Sequence, residues 1–429
     1  MVLEQDSLIL ADQKYYSMDS RKTQLNNNVL VVGTSGAGKT RSIVTPNLLQ
    51  AVGSYVISDP KGNLYRQYRG YLETQGYEVK CLDFVHPERS IGYNPLKYIR
   101  STQDIVKMSN MLVYQRKEGS HSDPFWDESG TILLAAMIAY LLESNLSNKE
   151  KTLGSVIRLL CQGRRGNESG GKTVLDRIME EHHRRKPDSW AYRQYEKASV
   201  AADRTFDSIL ITLTSKLRNF DSTEMNRMLQ YDKIKISSIG QKKTALFVVV
   251  SDTDRSMDNL ANLFFTQAMN ELCLYADECC RDNRLPISVR FILDDFATNC
   301  KIEEFPRMIA SIRSRGISTM LMIQSEAQLE EGYGSDGRTI IGNCDTYIYL
   351  GGNDLSTARA VAERCDVPMK KILNMPVGYN WIFRRGQEPS YNKNFDLEQY
   401  LLERMISPSK DMEHLRRKET NPYNFGYEL

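Results

Sequence analysis

The chain has 429 residues, 41% of them hydrophobic and 26% charged, and its 56 basic and 54 acidic residues give a net charge of +2. Such a composition is typical of a folded protein with one large core or two to three domains. It argues against a protein that holds nucleic acid through bulk positive charge, so any DNA contact must come from a local patch or an assembled channel. The eight cysteines form no CxxC pair and there are five histidines, so reduced cysteines and no zinc site are expected.

The first third of the chain alternates strand-like and helical segments. The opening residues, MVLEQDSLILADQKYY, carry no signal-peptide pattern. Val29–Val32 is a short apolar run typical of a buried strand, and SYVISD (54–59) and YEVKCLDF (77–84) are two further strand-like runs. A helix is predicted after Lys39. This alternation indicates a mainly parallel sheet with helices on both faces.

The pattern becomes helical between residues 102 and 232. Its longest apolar run, TILLAAMIAYLL (131–142), is too short to cross a bilayer and is predicted to be a buried helix. A glycine-rich stretch, GRRGNESGGK (163–172), indicates a loop. Apolar residues recur at helical spacing in four segments, which are 129–144, 151–162, 172–185 and 202–220.

Strand-like runs then return at 244–250, 289–294, 317–324 and 345–351. We therefore predict an α/β fold whose sheet is interrupted by an inserted all-α domain. The expected domains are a first nucleotide-binding segment (1–101), the insertion (102–232), and a second nucleotide-binding segment with the tail (233–429). From about Ser390 the tail is polar with scattered aromatic residues, and it is expected either to be mobile or to pack on a neighbour.

The stretch LVVGTSGAGKTRS (30–42) predicts a phosphate-binding loop. It fits the pattern G-x-x-x-x-G-K-[ST], and it follows a strand and precedes a helix, as the pattern requires. Glycines let backbone N–H groups turn toward phosphate oxygens, and the helix N-terminus adds positive charge. The lysine would reach the β- and γ-phosphates, and the threonine would bind Mg²⁺. The predicted ATP-binding residues are Gly33, Thr34, Ser35, Gly36, Ala37, Gly38, Lys39, Thr40 and Arg41.

A P-loop predicts a second element, an apolar strand that ends in an acid on the metal side. VRFILDDFA provides Asp294 as that acid and Asp295 as the catalytic carboxylate. Asp59 and Asp252 are weaker rivals, because Asp59 comes early in the sheet and Asp252 has no paired acid. Related motors usually carry Glu at the position of Asp295. The shorter side chain, by roughly 1.5 Å, leaves open whether hydrolysis is fast or slow and partner-dependent.

Two later features fit the same site. Gln324 ends the strand-like run 317–324 and is a candidate γ-phosphate sensor. Arg313, with Arg315 as second choice, lies about twenty residues after the acids and is a candidate arginine finger for a neighbouring subunit. An ordinary loop glutamine and salt-bridged surface arginines are the alternatives.

With these residues in view, the chain resembles the coupling proteins of type IV secretion and conjugation systems, the TraG/TraD-like DNA pumps. The resemblance runs from about Val29 to Arg385. It depends on GTSGAGKTRSIVTPNLLQ, SDPKGNLY, YNPL, DPFWDESGTILLAAMIAYLL, ILDDFA, SIRSRGIS and IQSEAQLEEGYG. It implies a RecA-like motor with an inserted all-α domain, which is the fold class expected here.

The resemblance also implies a function. Members of this family form hexameric rings at the cytoplasmic face of the cell membrane, select a relaxase–DNA substrate, and use ATP with Mg²⁺ to move DNA and protein into the secretion channel. By motif position, Lys39, Thr40, Asp294, Asp295, Gln324 and Arg313 take the roles given above. Family members usually carry an N-terminal membrane anchor, which this sequence does not show. We expect a chain that lacks its anchor, soluble and able to exist as a monomer.

Three functions stay open at this stage. The first is a DNA translocase of conjugation. The second is a substrate receptor with weak or no turnover, motivated by Asp295, in which nucleotide serves ring assembly. The third, a chromosome-segregation or plasmid-partition motor, is disfavoured by the DPFW helix and the place of the insertion. Candidate contacts for single- or double-stranded DNA are Lys61, the GRRG loop and HHRRK (182–186), each of which has a plain solvated alternative.

Overall fold

The computed structural model describes residues 7–114, 124–163, 171–298 and 300–406. The chain divides into two compact units. The sheet unit comprises Met1–Cys81, Ile236–Thr253 and Ala268–Leu429, and the helical unit comprises Leu82–Lys235 and Asp254–Gln267. The helical unit is thus larger than the expected insertion at 102–232, because it begins at Leu82 and also takes in the segment that follows residue 253.

A nine-stranded sheet, in the order β11-β10-β9-β3-β8-β7-β4-β6-β5, organises the described part of the chain, and β1 and β2 form a separate hairpin. The strands are Ser7–Ala11 (β1), Lys14–Ser17 (β2), Val29–Val32 (β3), Ser54–Ser58 (β4), Glu78–Asp83 (β5), Thr244–Val249 (β6), Val289–Leu293 (β7), Ile317–Ile323 (β8), Thr346–Tyr349 (β9), Tyr379–Arg384 (β10) and Ser390–Lys393 (β11).

The central strands are parallel. β9 pairs with β3, β3 with β8, β8 with β7, β7 with β4, and β4 with β6, all in parallel, whereas β10 and β11 add antiparallel pairs at one edge. Every residue of β3, β4, β6 and β7 is buried, as expected for parallel strands covered on both faces. The predicted α/β class is confirmed, and the carboxyl ends of β3, β7 and β8 meet at one edge of the sheet.

The helices cover the sheet and build the helical unit. The α-helices are Ser20–Thr23 (α1), Thr45–Leu49 (α2), Asn63–Thr74 (α3), Thr102–Val113 (α4), Pro124–Glu143 (α5), Leu153–Cys161 (α6), Val174–Arg185 (α7), Trp190–Ser199 (α8), Asp203–Leu217 (α9), Thr223–Gln230 (α10), Asp258–Cys279 (α11), Phe305–Met308 (α12), Ala327–Tyr333 (α13), Gly337–Gly342 (α14), Leu355–Cys365 (α15), Met369–Leu373 (α16) and Leu397–Ile406 (α17). Short 3-10 turns lie at Pro87–Arg89, Pro95–Tyr98, Arg218–Phe220, Ile236–Gly240, Arg255–Met257, Arg281–Asn283 and Gly334–Asp336, and a π-helical turn spans Thr40–Val44.

The helix α5 forms the centre of the helical unit. It is longer than its apolar run because the preceding residues from Pro124 onward are also helical, and it packs against α4, α6, α8 and α9. Within the described ranges it is the one helix long and apolar enough to cross a bilayer by length and composition. Of its most apolar window, 61% is buried inside the folded chain. The prediction of a buried helix is confirmed.

Both ends of the sheet unit carry structure that the sequence pattern did not indicate. All five residues of β1 are buried, and the buried Asn47 side chain fixes this strand. Its Oδ1 accepts the N–H of Ile9 at 2.9 Å, and its Nδ2 donates to the carbonyl of Ile9 at 2.7 Å. At the other end, the tail forms β11 and α17, and Phe395 and Tyr400 join the core of the sheet unit. The described part of the tail is therefore packed on its own unit.

Candidate nucleotide site

The glycine-rich loop lies where β3 ends, between the ends of β8 and β9. The N–H of Gly33 donates to the carbonyl of Ile323 at 3.1 Å, and the N–H of Thr34 donates to the carbonyl of Gly351 at 3.2 Å. Because β3 lies between β9 and β8 in the sheet, the loop is anchored to strands on both of its sides. Ser35 and Ala37 complete the loop between these anchors and the helix that follows.

Three glycines give the loop its shape, for two different reasons. Gly36 and Gly38 have φ values of +79° and +89°, which is the left-handed region that residues with a Cβ rarely occupy. Gly33 has no such φ, but a Cβ placed on it would lie 3.0 Å from the Cβ of Leu350 and 3.1 Å from that of Ala37. Gly36 and Gly38 permit the turn, and Gly33 permits close packing against the end of β9.

Lys39 is folded into this loop. Its Nζ donates to the carbonyls of Gly33 at 2.5 Å and Thr34 at 3.2 Å, and the residue is 9% exposed. Burial lowers the pKa of Lys39, while the charges of Asp294 and Asp295 act to raise it. A buried ammonium whose contacts are two loop carbonyls can exchange them for the stronger contact of an anionic oxygen.

Thr40 and Asp294 meet in space although 254 residues separate them. The hydroxyl of Thr40 donates to Oδ2 of Asp294 at 3.5 Å. Burial raises the pKa of Asp294, and the charge of Asp295 adds to that rise, whereas Lys39 opposes it. A buried carboxylate beside a second acid and a hydroxyl is a set of hard oxygen ligands, which fits Mg²⁺. The sequence predicts this pair, and the structure places the two side chains in contact.

Asp295 follows in a strained turn. Its φ is +49°, its N–H donates to Oδ1 of Asp294 at 3.1 Å, and its carbonyl accepts the N–H of Thr298 at 3.1 Å. Among residues with a side chain, Asp is one of those that tolerate left-handed backbone best. The turn therefore gives a physical reason for Asp at a position where Glu was expected.

The two rival acids have other tasks. Oδ2 of Asp59 accepts the N–H of Tyr65 at 2.9 Å, so this carboxylate caps the start of α3. Asp252 pairs with Lys61 at 3.4 Å between the ends of β6 and β4. Neither arrangement includes a residue of the glycine-rich loop, and the Lys61 charge is matched by its partner.

Gln324 and Arg313 lie at opposite edges of the sheet. Gln324 directly follows β8, is exposed, and stands beside the loop because β8 is hydrogen-bonded to β3 in register. Arg313 precedes β8 and donates to the carbonyl of Ser20 at 2.8 Å, away from the loop of its own chain. Arg315 makes a bidentate pair with Asp277 at 2.8 and 2.7 Å. Of the two arginines, Arg313 is therefore the one without a carboxylate partner among the described residues.

Two local features were not predicted from the sequence. The helix after Lys39 starts as a π turn, in which the N–H of Thr45 bonds to the carbonyl of Thr40. Pro46 explains it, since this residue has no N–H to continue an α-helical ladder. The guanidinium of Arg41 pairs with Glu398 on α17, so the tail helix is tied to the residue that follows Thr40.

Residues 3–366 match the family described as "Type IV secretory system Conjugative DNA transfer". The chain belongs to this family.

Relatives within the type IV DNA-transfer family are distant and longer. The chain is 21% identical to the type IV secretion system-coupling protein VirD4 of Bartonella henselae over 79% of its own length and 53% of that protein. It is 23% identical to the conjugal transfer protein TraG of Escherichia coli, over 78% of the chain and 54% of TraG. The chain thus spans about half the length of the curated relatives it matches.

Solved structures support the same fold. The unbound monoclinic form of the bacterial conjugative coupling protein TrwBdeltaN70 superposes with a TM-score of 0.64 at 14% identity and covers 90% of this chain and 88% of that chain. The plasmid coupling protein TrwB in complex with ADP and Mg²⁺ gives a TM-score of 0.61 at 14% identity, over 86% and 85% of the two chains. These likenesses confirm the predicted RecA-like architecture.

The basic segments proposed for DNA are largely paired. In HHRRK, Arg184 and Arg185 contact Glu181, and Lys186 lies 3.4 Å from Glu143. The arginines of the GRRG loop lie outside the described residues. The described pairs reduce the charge that these segments offer to a phosphate backbone.

Proposed function

We propose that this chain is the motor part of an ATP-driven coupling protein, which recruits a relaxase–DNA substrate and drives DNA and protein into a type IV secretion channel. The observation that carries the proposal is the Thr40–Asp294 contact beside a buried Lys39, in a chain of the type IV DNA-transfer family. Together these features place a P-loop, with its buried lysine, and a strand-end acid in one site.

Each residue has a proposed task at this site. Lys39 and the N–H groups around Gly36 and Gly38 bind the phosphates of ATP, while Thr40 and Asp294 hold Mg²⁺. The metal, when bound, neutralises charge between the β- and γ-phosphates. Asp295 orients the attacking water and accepts its proton. Gln324, at the tip of the strand next to the loop, detects the γ-phosphate.

The active form is proposed to be a homohexamer in which Arg313 reaches the site of a neighbouring subunit. Support comes from its position at the sheet edge opposite its own loop and from the absence of a carboxylate partner among the described residues.

Mixing two inactive variants tests this idea. Arg313→Ala and Lys39→Ala subunits, each inactive alone, should regain activity when mixed, because some interfaces then hold an intact pair. No recovery in mixed rings of verified composition would contradict the proposal.

The partners follow from the family and are part of the proposal. They are single- or double-stranded DNA, the relaxase within its relaxosome, and components of the secretion channel, and the place of action is the cytoplasmic face of the cell membrane. TrwB has been solved with ADP and Mg²⁺, which supports the same ligands here. The sheet unit then supplies the motor, and the helical unit is proposed to carry substrate recognition.

A second candidate is a substrate receptor in which nucleotide binding assembles the ring with little turnover. Asp295 motivates this alternative, because its carboxylate reaches roughly 1.5 Å less far than that of Glu. The two candidates differ in whether DNA stimulates hydrolysis.

Phosphate release from ATP with Mg²⁺, measured with and without DNA, tests the proposal. Lys39→Ala should abolish hydrolysis, whereas Lys370→Ala, at an exposed lysine on α16, should leave it unchanged and serves as the matched control. Equal rates in the Lys39 variant and the parent chain would reject an ATPase at this site. Nucleotide binding without DNA-stimulated turnover would favour the receptor.

A further inference from the structure

A cavity of about 300 Å³ lies at the amino ends of β4, β7 and β8, on the edge opposite the glycine-rich loop. Along β7 the two edges are separated by the run from Arg290 to Asp294, or about 13 Å at the usual rise of a strand. Arg284, Arg290 and Arg313 all line the cavity. It is therefore a separate, cationic space within the sheet unit.

Arg290 is the most important of the three arginines. It is 7% exposed, and in the register of the sheet it lies between Tyr55 of β4 and Ser318 of β8. Its guanidinium donates to the hydroxyl of Ser318 at 3.3 Å and to the sulfur of Met18 at 3.0 Å. Both are weak contacts for a cation, and no carboxylate in the described ranges lies within ion-pair distance. Burial lowers the pKa of Arg290, which reflects the cost of an unpaired charge in the interior.

The other two arginines leave the charge of the cavity unbalanced. In the described part of the chain, the guanidinium of Arg313 has one hydrogen bond, to the carbonyl of Ser20, and the guanidinium of Arg284 has no hydrogen-bond or ion-pair partner. The acid in the lining, Asp19, accepts the N–H groups of Arg21 and Lys22 as the cap of α1. With three arginines and one aspartate in the lining, the cavity keeps an excess of positive charge.

We infer that this cavity binds a small phosphate anion such as inorganic phosphate or diphosphate. Guanidinium groups match the oxygens of phosphate in geometry and charge, and serine hydroxyls of the lining, Ser20 and Ser288, supply neutral donors. At about 30 Å³ per water, the volume accommodates such an anion with several waters. The cavity is distinct from the nucleotide site of its own chain, since the loop and the acids at 294 and 295 lie at the other edge of the sheet.

The test is a titration of the full chain carrying Lys39→Ala, which weakens anion binding at the glycine-rich loop. Sodium diphosphate should raise the Tm saturably, beyond the effect of sodium chloride at equal ionic strength. Calorimetry should then show binding that Arg284→Gln weakens roughly tenfold or more, as expected for loss of one charged contact. Arg290→Met should behave likewise if folded. Arg281→Gln, at an exposed arginine outside the lining, is the matched control and should bind as the parent does.

Two results would overturn the inference. The first is no saturable response, and the second is an equal response in the Arg284 variant. A shift with 5′-phosphorylated oligonucleotide but none with diphosphate would likewise reject a small free anion.

Discussion

Asp295 gives the sharpest prediction, through the change Asp295→Glu. The added CH₂ moves the carboxylate by roughly 1.5 Å, and a displacement of about 1 Å at a reacting group can reduce the rate on the order of a hundredfold. The φ of +49° adds strain of about 1 kcal/mol, because Glu lacks the local hydrogen bonding that lets Asp adopt this backbone. We therefore expect Asp295→Glu to lower DNA-stimulated hydrolysis by about a hundredfold while nucleotide binding persists.

Steady-state phosphate release at saturating DNA measures the effect, with binding of a fluorescent ATP analogue measured in parallel. Asp295→Asn is the matched control, because Asn keeps the side-chain length and tolerates the same backbone but accepts a proton poorly. It should lose turnover with no loss of Tm. A faster rate in Asp295→Glu than in the parent would refute this reasoning, since it would show a site attenuated by Asp rather than built around it.

Three further predictions concern stability. Asn47→Ala should lower the free energy of unfolding of the sheet unit by about 2–4 kcal/mol, because it leaves buried backbone groups of β1 without partners; chemical denaturation measures this, and a loss below 1 kcal/mol would contradict it. Gly92→Ala should destabilise the helical unit by about 2–3 kcal/mol, since the new Cβ would lie 2.3 Å from the carbonyl oxygen of Tyr231; an unchanged Tm would argue against that packing. Burial raises the pKa of Asp258 to about 7, so between about pH 4 and 7 the unfolded state loses this proton first and stability falls as pH rises; Asp258→Asn should flatten the dependence of Tm on pH in that window, and an unaltered slope would contradict the assignment.

The candidate nucleotide site could be predicted because its parts are local. Gly33 to Thr40 is a contiguous motif, and Asp294 ends a conspicuous apolar strand. Their meeting follows from parallel strands, whose carboxyl ends share one edge of the sheet. The left-handed turn at Asp295 could not be predicted from the sequence, since Asp occurs at ordinary strand ends as readily as at strained ones.

Other features depend on tertiary packing and leave weak sequence signals. The strand β1 is short, and its partner in space is Asn47, far along the chain. The strand β10 (Tyr379–Arg384) mixes polar and aromatic residues because it lies near the edge of the sheet, where continuous apolar runs are not needed. Arg290 stands in a predicted buried strand, yet only the fold shows that it has no carboxylate partner among the described residues.

The most direct test of a DNA-driven motor is ATP turnover, measured with no DNA, with single-stranded DNA and with double-stranded DNA, while the mass of the particle is determined in the same samples. We predict that DNA raises the rate, that the rise accompanies a hexamer, and that Lys39→Ala removes the activity without preventing folding. Turnover that is independent of both DNA and assembly, or nucleotide binding with no turnover under any of these conditions, would contradict the account.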